Sequence, residues 1–554
     1  MYFQFTDKNK ENYIAGDRLY EITANGHSAG FLTEANRNKV KRLGIPELND
    51  GFTEIFWYDR EEITLLKTDE DGVYVDYEGQ GEVPLSFAAD VPSEGNYRIK
   101  LTLKASEKAG LMVFAGRRRL ADQSLRVAGE YIFLDFVTNI CPIIPRGYDK
   151  VMEDLTCNVA VLGKGIHLQE IEIEPWDGPT LYIAGDSTVT DQPAAYPYLP
   201  GQSYCGWGQM IGALLGRQMA VSNHSHSGLT TESFRSEGHY QILLDRIRKG
   251  DICLFQFGHN DQKLMELTAD GGYRKRLTEY IGEIKSKGAT PVIVSPLARN
   301  SFKKVGDKLE YNDLLKPYAA ECKRLAAQLE VPFIDLHAMS MEEILKLGRD
   351  KARRLFFPSD YTHSNDYGAM LFASYVCAGL ANAGLVREYP CELLSVPDEE
   401  EELVIPKEYG HVKNEEEIDL FKDLERENEN LTRAEAMDFI IKTCKFFPTN
   451  VYNDYFSDVV GHEIYAGIVE TAYQNGMIPE EMTKDGAFHP LKEITLREFV
   501  ISLMNGYSAR RPLSCEHPDL IQEAANMKLI ALDVEKDVPL TRRQAADICK
   551  KIYV

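Results

Sequence analysis

Residues 182–192, YIAGDSTVTDQ, decide the fold. A short apolar run ends in Gly185-Asp186-Ser187, which is typical of a strand that passes into a loop. Glycine permits a tight turn there, and the backbone N–H groups that follow are free to face an anion. A Gly-Asp-Ser tripeptide alone is more often only a turn, so its meaning depends on the segments around it.

Strand-like and helix-like segments alternate on both sides of this stretch. Short apolar runs occur at 180–185, 218–223, 251–258, 290–296 and 331–336. Amphipathic stretches lie at 209–216, 239–250, 274–288, 314–330 and 368–384. Parallel strands require crossover helices, so this alternation predicts an α/β domain over 178–392, a three-layer αβα arrangement around a parallel sheet. Ligands bind beyond the carboxyl ends of such strands.

Residues 1–177 have a different pattern, in which apolar and polar residues alternate singly. Such runs occur at 73–78, 97–105, 110–116, 131–137 and 168–176, separated by Gly, Pro and Asp. The pattern predicts a β-sandwich accessory domain. Packing against the next domain and binding of glycan are both open roles for it.

The C-terminal part consists of an acidic segment and a repeat. Residues 393–430 are dominated by acidic side chains, which predicts a solvated linker. Over 431–554, three apolar helical segments each begin with a Thr that stands three residues before Glu or Gln. These are capping-box patterns that pair Thr432 with Glu435, Thr495 with Glu498, and Thr541 with Gln544. They predict a domain of helical repeats.

The length, charge and cysteine content of the chain limit its domain number, its partners and its location. The 554 residues exceed what one hydrophobic core supports, so two to four domains are expected. A net charge of −24 repels phosphate backbones and anionic lipid surfaces, which excludes nucleic acid and membranes as partners. No apolar run approaches the ~20 residues needed to cross a bilayer. The ten cysteines form no CxxC pairs, and the first residues do not resemble a signal peptide. We expect a cytoplasmic protein; removal of a signal peptide would instead indicate a secreted or wall-attached one.

Four further residues follow strands or precede a helix where the sheet edge is expected. Gly228 lies beyond the second strand, where a glycine lets a ligand approach the main chain. Asn260 ends the third strand, where its amide can donate to a developing oxyanion. Asp360 precedes His363 by three residues, a spacing at which the carboxylate can accept the Nδ1 proton and leave Nε2 as a base. His224 and His226 have no third ligand at a recognisable spacing, so no metal site is predicted.

Together, these blocks resemble the SGNH hydrolases over 178–392. Ser187, Gly228 and Asn260 match the first three signature residues, and His363 with Asp360 matches the last. The resemblance implies a flavodoxin-like sheet and a serine esterase. Ser187 would be the nucleophile, His363 the base and Asp360 the residue that orients the base. The oxyanion hole would comprise the N–H groups of Ser187 and Gly228 and the Asn260 amide, with no metal or organic cofactor.

Longer matches resemble the rhamnogalacturonan acetylesterase branch of these hydrolases. They are GDSTVTDQ (185–192), GWGQM (206–210), SGLTTESF (227–234), FGHND (257–261) and DYTHSNDYGA (360–369). The implied partner is an acetylated oligosaccharide or polysaccharide of plant origin. Trp207 would stack on a sugar ring, or belong to the core. Arg299, after the fourth strand, would contact a uronate or hydroxyl at the rim, or lie on the surface.

Resemblances of the flanking regions are weaker. The 1–177 region is similar to galactose-binding-like accessory domains. Residues 431–554 resemble S-layer homology repeats, which bind cell-wall polysaccharide. Only Thr432-Arg433-Ala434-Glu435 matches the repeat motif fully; Leu496 stands where the second Arg belongs, and Gln544 replaces the third Glu.

The sequence leaves two alternative functions open. The first is a lipase or thioesterase of the same fold acting on acyl chains, which would need a long apolar groove. The loops after the three signature residues are instead rich in Ser, Thr, Asp and Gln. The second is a non-catalytic glycan-binding or wall-attachment protein, although all five expected catalytic positions are filled.

Overall fold

The computed structural model describes residues 1–20 except 9, 28–31, 65–192 except 80, 117, 145–149 and 152–154, 194, 197–357 except 306–307, 360–391 except 388 and 390, and 424–552 except 425, 445, 447, 449–454, 460–462, 464 and 509–518. Most of the predicted 393–430 linker therefore lies outside the described residues. None of the described helices is long and apolar enough to span a membrane. The described cysteines are free thiols, most of them buried.

The chain divides into two compact units. The larger unit comprises Met1–Asn300, Leu315–Pro358 and His363–His411. The smaller unit comprises Ser301–Leu314, Ser359–Thr362 and Val412–Val554. The larger unit thus holds both the N-terminal β region and most of the predicted α/β domain.

The N-terminal β region consists of two antiparallel sheets. Its strands are β1 (Tyr2–Gln4), β2 (Ala29–Phe31), β3 (Leu66–Asp69), β4 (Gly72–Val75), β5 (Leu85–Asp90), β6 (Gly95–Ala105), β7 (Ala109–Ala115), β8 (Arg119–Arg126), β9 (Tyr131–Ile140), β10 (Thr156–Leu162) and β11 (Ile166–Pro175). One sheet has the order β3-β4-β11-β6-β9, with β1 also paired to β11, and the other has the order β2-β5-β10-β7-β8.

Alternating side chains create the core of this region. In β6, Ile99, Leu101 and Leu103 are buried, and the residues between them are partly exposed, as the two-residue period of a strand requires. The buried faces of both sheets contribute to one apolar cluster. Phe31 and Phe87, from neighbouring strands, meet in it edge to face with centroids 5.5 Å apart.

The second part of the larger unit is a parallel sheet with helices, as predicted. Its strands are β12 (Thr180–Gly185), β13 (Ala220–Asn223), β14 (Ile252–Gln256), β15 (Thr290–Val294) and β18 (Phe333–Ile334). Its helices are α1 (Trp207–Leu215), α2 (Thr231–Ser236), α3 (His239–Arg246), α4 (Arg274–Ser286), α5 (Lys316–Leu329), α6 (Leu336–Leu347), α7 (Arg349–Ala352) and α8 (Asp366–Asn382). The strand order β13-β12-β14-β15-β18 is that of flavodoxin-like sheets.

Both faces of this sheet are covered. Tyr182 and Ala184 of β12 lie in an apolar cluster with residues of α3, α4 and α5. Leu181 and Ile183 are also fully buried, and strand alternation points them to the opposite face. The carboxyl ends of β12, β13 and β14 therefore meet at one edge, which is where Ser187, Gly228 and Asn260 follow.

The smaller unit contains a hairpin and a set of helices. The hairpin consists of β16 (Phe302–Val305) and β17 (Lys308–Tyr311). The helices are α9 (Arg433–Thr443), α10 (Ala466–Gln474), α11 (Leu496–Ser508), α12 (Leu520–Asn526) and α13 (Arg542–Cys549). All three predicted capping boxes are confirmed: each Thr accepts from the backbone N–H three residues later, and each Glu or Gln accepts from the Thr N–H.

The three capped segments are joined in a closed ring. The Leu431 N–H donates to the Leu540 carbonyl at 2.9 Å, Leu540 donates to Ile494 at 3.1 Å, and Ile494 donates back to Leu431 at 3.0 Å. Each segment thus contacts both of the others immediately before its helix. The resemblance to S-layer homology repeats itself stays a prediction.

Two ion pairs run around this ring in the opposite direction to the hydrogen bonds, from the second motif position of one segment to the fourth position of the next segment along the chain, the first following the third. Arg433 pairs with Glu498 at 2.5 Å, and Arg542 pairs with Glu435 at 2.7 Å. The corresponding positions of the remaining junction hold Leu496 and Gln544. The two departures from the motif therefore fall at one junction, where the Arg and its expected carboxylate partner are replaced together.

Candidate active site

The side chains of Ser187 and His363 are in contact. Ser187 follows the carboxyl end of β12, and His363 lies shortly before α8. The Ser187 Oγ lies 2.7 Å from Nε2 of His363, a hydrogen-bond distance at which an imidazole can remove the hydroxyl proton. The geometry therefore places a base within reach of the Ser187 hydroxyl.

The segment around His363 is held on several sides. The Phe357 N–H donates to the His363 carbonyl at 2.9 Å. Ser364 accepts from the Cys205 N–H through its carbonyl and donates to the Cys205 carbonyl through its hydroxyl, at 3.0 and 2.7 Å. The Tyr204 ring meets the imidazole edge-on, with centroids 5.7 Å apart. Asn365 then caps α8 by accepting from the Gly368 N–H.

Asp360, the predicted orienting carboxylate, has a local hydrogen bond. Its Oδ1 accepts from the Thr362 N–H at 2.7 Å, which fixes one oxygen within its own turn. Its role toward the imidazole stays a prediction.

Two backbone donors are available for an oxyanion. Among the described residues, neither the Ser187 N–H nor the Gly228 N–H donates a hydrogen bond. Gly228 has φ +88°, a left-handed conformation that an L side chain rarely adopts. The glycine is therefore required by the turn that leaves this N–H without an internal acceptor.

Asn260, the third predicted donor, is held by both ends of its amide. Its Nδ2 donates to the Leu229 carbonyl at 3.0 Å, and its Oδ1 accepts from Nζ of Lys263 at 2.9 Å. An amide nitrogen carries two hydrogens, so one remains to donate to a ligand. Burial, and then the charge of Arg299, lower the pKa of Lys263 to about 8. Sequence reasoning missed Lys263; its only signal is its position one turn after Asn260.

A buried polar network lies beneath the nucleophile. Asp186 is fully buried; it accepts from the Thr188 N–H and hydroxyl at 3.0 and 2.7 Å, and its other oxygen lies 3.1 Å from Nδ1 of His259. Nε2 of His259 lies 2.9 Å from the Leu297 carbonyl. Both ring nitrogens thus face acceptors, and donating to both requires a proton on each. Burial alone would raise the pKa of Asp186, but His259 and Thr188 together lower it.

Trp207 belongs to this buried network and does not offer an exposed ring on which a sugar could stack. Its ring is fully buried, and its Nε1 donates to Oε1 of Gln256 at 2.7 Å. Gln256 in turn donates to the Thr188 hydroxyl at 2.8 Å. The prediction that Trp207 stacks on a sugar is therefore wrong, because helix α1 packs the indole into the core.

Arg299 also lies beneath the surface. It is only 3% exposed and donates to the His259 carbonyl at 3.3 Å. The prediction of a sugar contact at the rim is therefore wrong, and so is the alternative of a surface position, because the buried guanidinium holds the loop after β14.

The His-x-His pair consists of packing residues. His224 is buried with Nε2 2.9 Å from the Ser222 hydroxyl, and His226 packs on His239 with centroids 5.3 Å apart. Within the described part of the chain, no group of three or more His, Cys, Asp or Glu side chains could hold a metal ion.

Residues 183–371 match the GDSL-like lipase/acylhydrolase family. The chain is 35% identical to the rhamnogalacturonan acetylesterase RhgT of Bacillus subtilis over 219 residues, which cover 37% of this chain and 90% of the relative. It is 32% identical to the probable rhamnogalacturonan acetylesterase YesY of Bacillus subtilis, over 37% of this chain and 94% of the relative.

The chain belongs to the GDSL-like lipase/acylhydrolase family. As a member, it is a serine carboxylic ester hydrolase. The crystal structure of the protein YxiM from Bacillus subtilis is also similar, with 22% identity over 69% of this chain and 98% of that chain, at a TM-score of 0.36.

Proposed function

We propose that this family member is a carbohydrate O-acetylesterase that hydrolyses acetyl esters on plant-polysaccharide oligosaccharides through a Ser-His-Asp triad. The 2.7 Å contact between the Ser187 hydroxyl and the His363 imidazole carries the proposal. The names of RhgT and YesY, which this chain covers almost fully, support acetylated rhamnogalacturonan as the first substrate to test.

The first half of the reaction transfers the acetyl group to the enzyme. Nε2 of His363 takes the Ser187 proton as the hydroxyl oxygen attacks the ester carbonyl. The negative charge that develops on the carbonyl oxygen is stabilised by the Ser187 and Gly228 N–H groups and the Asn260 amide. His363 then returns the proton to the departing sugar oxygen. Asp360 would hold the imidazole in the required tautomer and stabilise its charged form.

The second half regenerates the serine. A water molecule replaces the sugar, and His363 removes its proton as it attacks the acetyl-enzyme. The same three donors receive the second oxyanion, and acetate leaves as Ser187 is reprotonated. Each step uses groups of this chain and water.

The polar side chains beside Ser187 and Asn260 support a small acyl group on a polar alcohol. Gln192 lies beside the nucleophile, donating to the Ser187 carbonyl at 3.4 Å, and Lys263 flanks Asn260. Such groups favour hydroxyl-rich leaving groups. They do not favour long acyl chains, whose binding depends on burying each methylene against apolar surface, a gain of about 0.8 kcal/mol per methylene.

The test compares acyl length and then polysaccharide. We expect 4-nitrophenyl acetate to be hydrolysed with a much higher kcat/KM than the octanoate. Acetate release should then be greater from acetylated rhamnogalacturonan than from acetylated xylan or mannan. Preference for octanoate would replace the proposal with an acyl-chain lipase or thioesterase, and activity that survives Ser187→Ala would contradict the assigned nucleophile.

A further inference from the structure

A hairpin of the N-terminal β region inserts an arginine into the hydrolase domain. The turn between β7 and β8 contains Arg118, whose side chain is only 3% exposed. Its guanidinium donates to the carbonyl oxygens of Gln192 and Tyr204, both at 3.2 Å, and forms an ion pair with the fully buried Asp366. One side chain thus joins three separate segments of the hydrolase domain.

Each of the three acceptors belongs to a segment next to Ser187 or His363. Gln192 donates to the Ser187 carbonyl at 3.4 Å. The Tyr204 ring contacts the His363 imidazole edge-on. Asp366 is the first residue of α8, three positions after His363. The guanidinium therefore connects the segment of the nucleophile with two segments that hold the base.

The backbone at Arg118 is unfavourable for an arginine. Its φ of +56° lies in the left-handed region, which non-glycine residues occupy at a cost of about 1 kcal/mol or more unless surrounding contacts hold them. A glycine would suit this turn better. The contacts of the guanidinium, and not the preference of the turn, therefore account for the arginine.

We infer that Arg118 is a positioning residue for ester hydrolysis, through which the N-terminal β region sets the distance between Ser187 and His363. A planar guanidinium spreads its donors over three nitrogens in a fixed geometry, so it can reach separate acceptors that a lysine, whose three donors share one nitrogen, spans less well. The family match begins at residue 183, so this residue lies outside the family signature. The inference rests on the roles proposed for Ser187 and His363.

The test uses variants that separate position from fold. Arg118→Gly suits the left-handed backbone of the turn but removes the guanidinium. Arg118→Lys keeps the positive charge but loses the planar arrangement of N–H donors. Arg246→Ala is the matched control. Arg246 also bridges the β region and the hydrolase domain, because it pairs with Glu94 at 2.9 Å. It lies just before β14, at the amino ends of the strands, whereas Ser187 follows a carboxyl end. Active sites are counted by fluorophosphonate labelling run to completion.

Hydrolysis of 4-nitrophenyl acetate and the initial labelling rate are then measured per active site. We expect Arg118→Gly to lower kcat and the labelling rate together, by about 10- to 100-fold, with KM within about twofold, because a displacement near 1 Å has that effect on a reacting pair. Arg118→Lys should lie between Arg118→Gly and the wild type. Arg246→Ala should match the wild type.

The outcomes that would overturn the inference differ from the one that would refute the proposed function. Wild-type kcat in Arg118→Gly, or an equal loss in Arg246→Ala, would overturn the inference. If Arg118→Gly does not fold, Asp366→Asn weakens the same contact from the other side and should give the same selective loss of kcat; an unchanged kcat there overturns the inference as well. A wild-type protein that neither hydrolyses the ester nor labels at Ser187 would instead refute the proposed function.

Discussion

The Ser187 hydroxyl lies 2.7 Å from Nε2 of His363, although 176 positions separate the two residues. We expect Ser187→Ala to abolish hydrolysis of 4-nitrophenyl acetate and labelling by a fluorophosphonate, because the variant lacks the oxygen that attacks the ester. Circular dichroism should show the wild-type fold. Ser286→Ala, a change at an exposed hydroxyl on α4, is the control and should keep full activity; equal activity of both variants would move the nucleophile elsewhere.

Asn260 has one amide hydrogen left for an oxyanion. We expect Asn260→Ala to lower kcat for acetate esters by about 100-fold or more, the range found for loss of one such donor. KM should change little, because the charge on the carbonyl oxygen develops only in the transition state. Steady-state kinetics separate the two constants, and an unchanged kcat would remove Asn260 from the oxyanion hole.

Asp261, next to Asn260, makes stability depend on pH. Its Oδ1 accepts from the Thr231 N–H and hydroxyl at 2.9 and 2.6 Å, whereas Oδ2 has no hydrogen-bond partner in the described structure. Burial raises the pKa of Asp261 to about 7. The folded state therefore binds this proton more tightly than the unfolded state, whose pKa is about 3.9. The resulting stability penalty grows as pH rises from about 4 to 7 and is complete above that window.

Asp261→Asn removes that penalty while keeping an oxygen for Thr231. We expect the variant to match the wild type near pH 4 and to be more stable above pH 7, by about 4 kcal/mol at most. Thermal unfolding of both proteins between pH 4 and 8 measures the difference. Asp270→Asn, at an exposed position, should show no such trend. A stability difference that does not change with pH would contradict this account.

In the smaller unit, Glu498 is the carboxylate partner of a buried arginine. The Arg433 guanidinium is 3% exposed and also donates to the Met482 and Phe488 carbonyls. Glu498→Ala leaves its charge buried without a counter-ion, which we expect to destabilise the smaller unit by about 3 kcal/mol. Hydrogen exchange of α9 and α11 in the full chain reports the loss. Glu498→Gln, which keeps the capping box, should lose less, and equal effects would exclude a contribution from charge.

The remaining ring junction offers the reverse experiment. Leu496→Arg combined with Gln544→Glu would place at this junction the pair found at the other two. We expect the free energy of unfolding of the double variant to exceed the value obtained by adding the effects of the two single changes. The excess, which is the coupling energy of the pair, should be about 1 kcal/mol. Additive single effects would show that the motif residues at this junction do not face one another.

The sequence predicted the parts of the fold and site that depend on local pattern. The strands of the parallel sheet are apolar runs because both of their faces are buried, and Ser187, Gly228 and Asn260 follow them at one edge by topology alone. The capping boxes are equally local. The antiparallel strands show the expected two-residue period.

What the sequence did not predict depends on contacts between distant segments. Trp207 between two glycines reads the same whether its indole is packed in a core or stacked on a sugar. Nothing in the run Arg117-Arg118-Arg119 indicates that Arg118 reaches the carbonyl oxygens of Gln192 and Tyr204. The placement of Arg299 beneath the loop after β14 depends likewise on a tertiary contact with His259.

The closed ring of the smaller unit has a consequence for how that unit comes apart. A linear array of repeats has two ends and can fray from either one. Here Leu431, Ile494 and Leu540 each donate to one neighbour and accept from the other, so removing any segment exposes two broken edges at once. Truncation after α12 should therefore unravel the first segment as readily as the second, and loss of order should be all-or-none along this part of the chain.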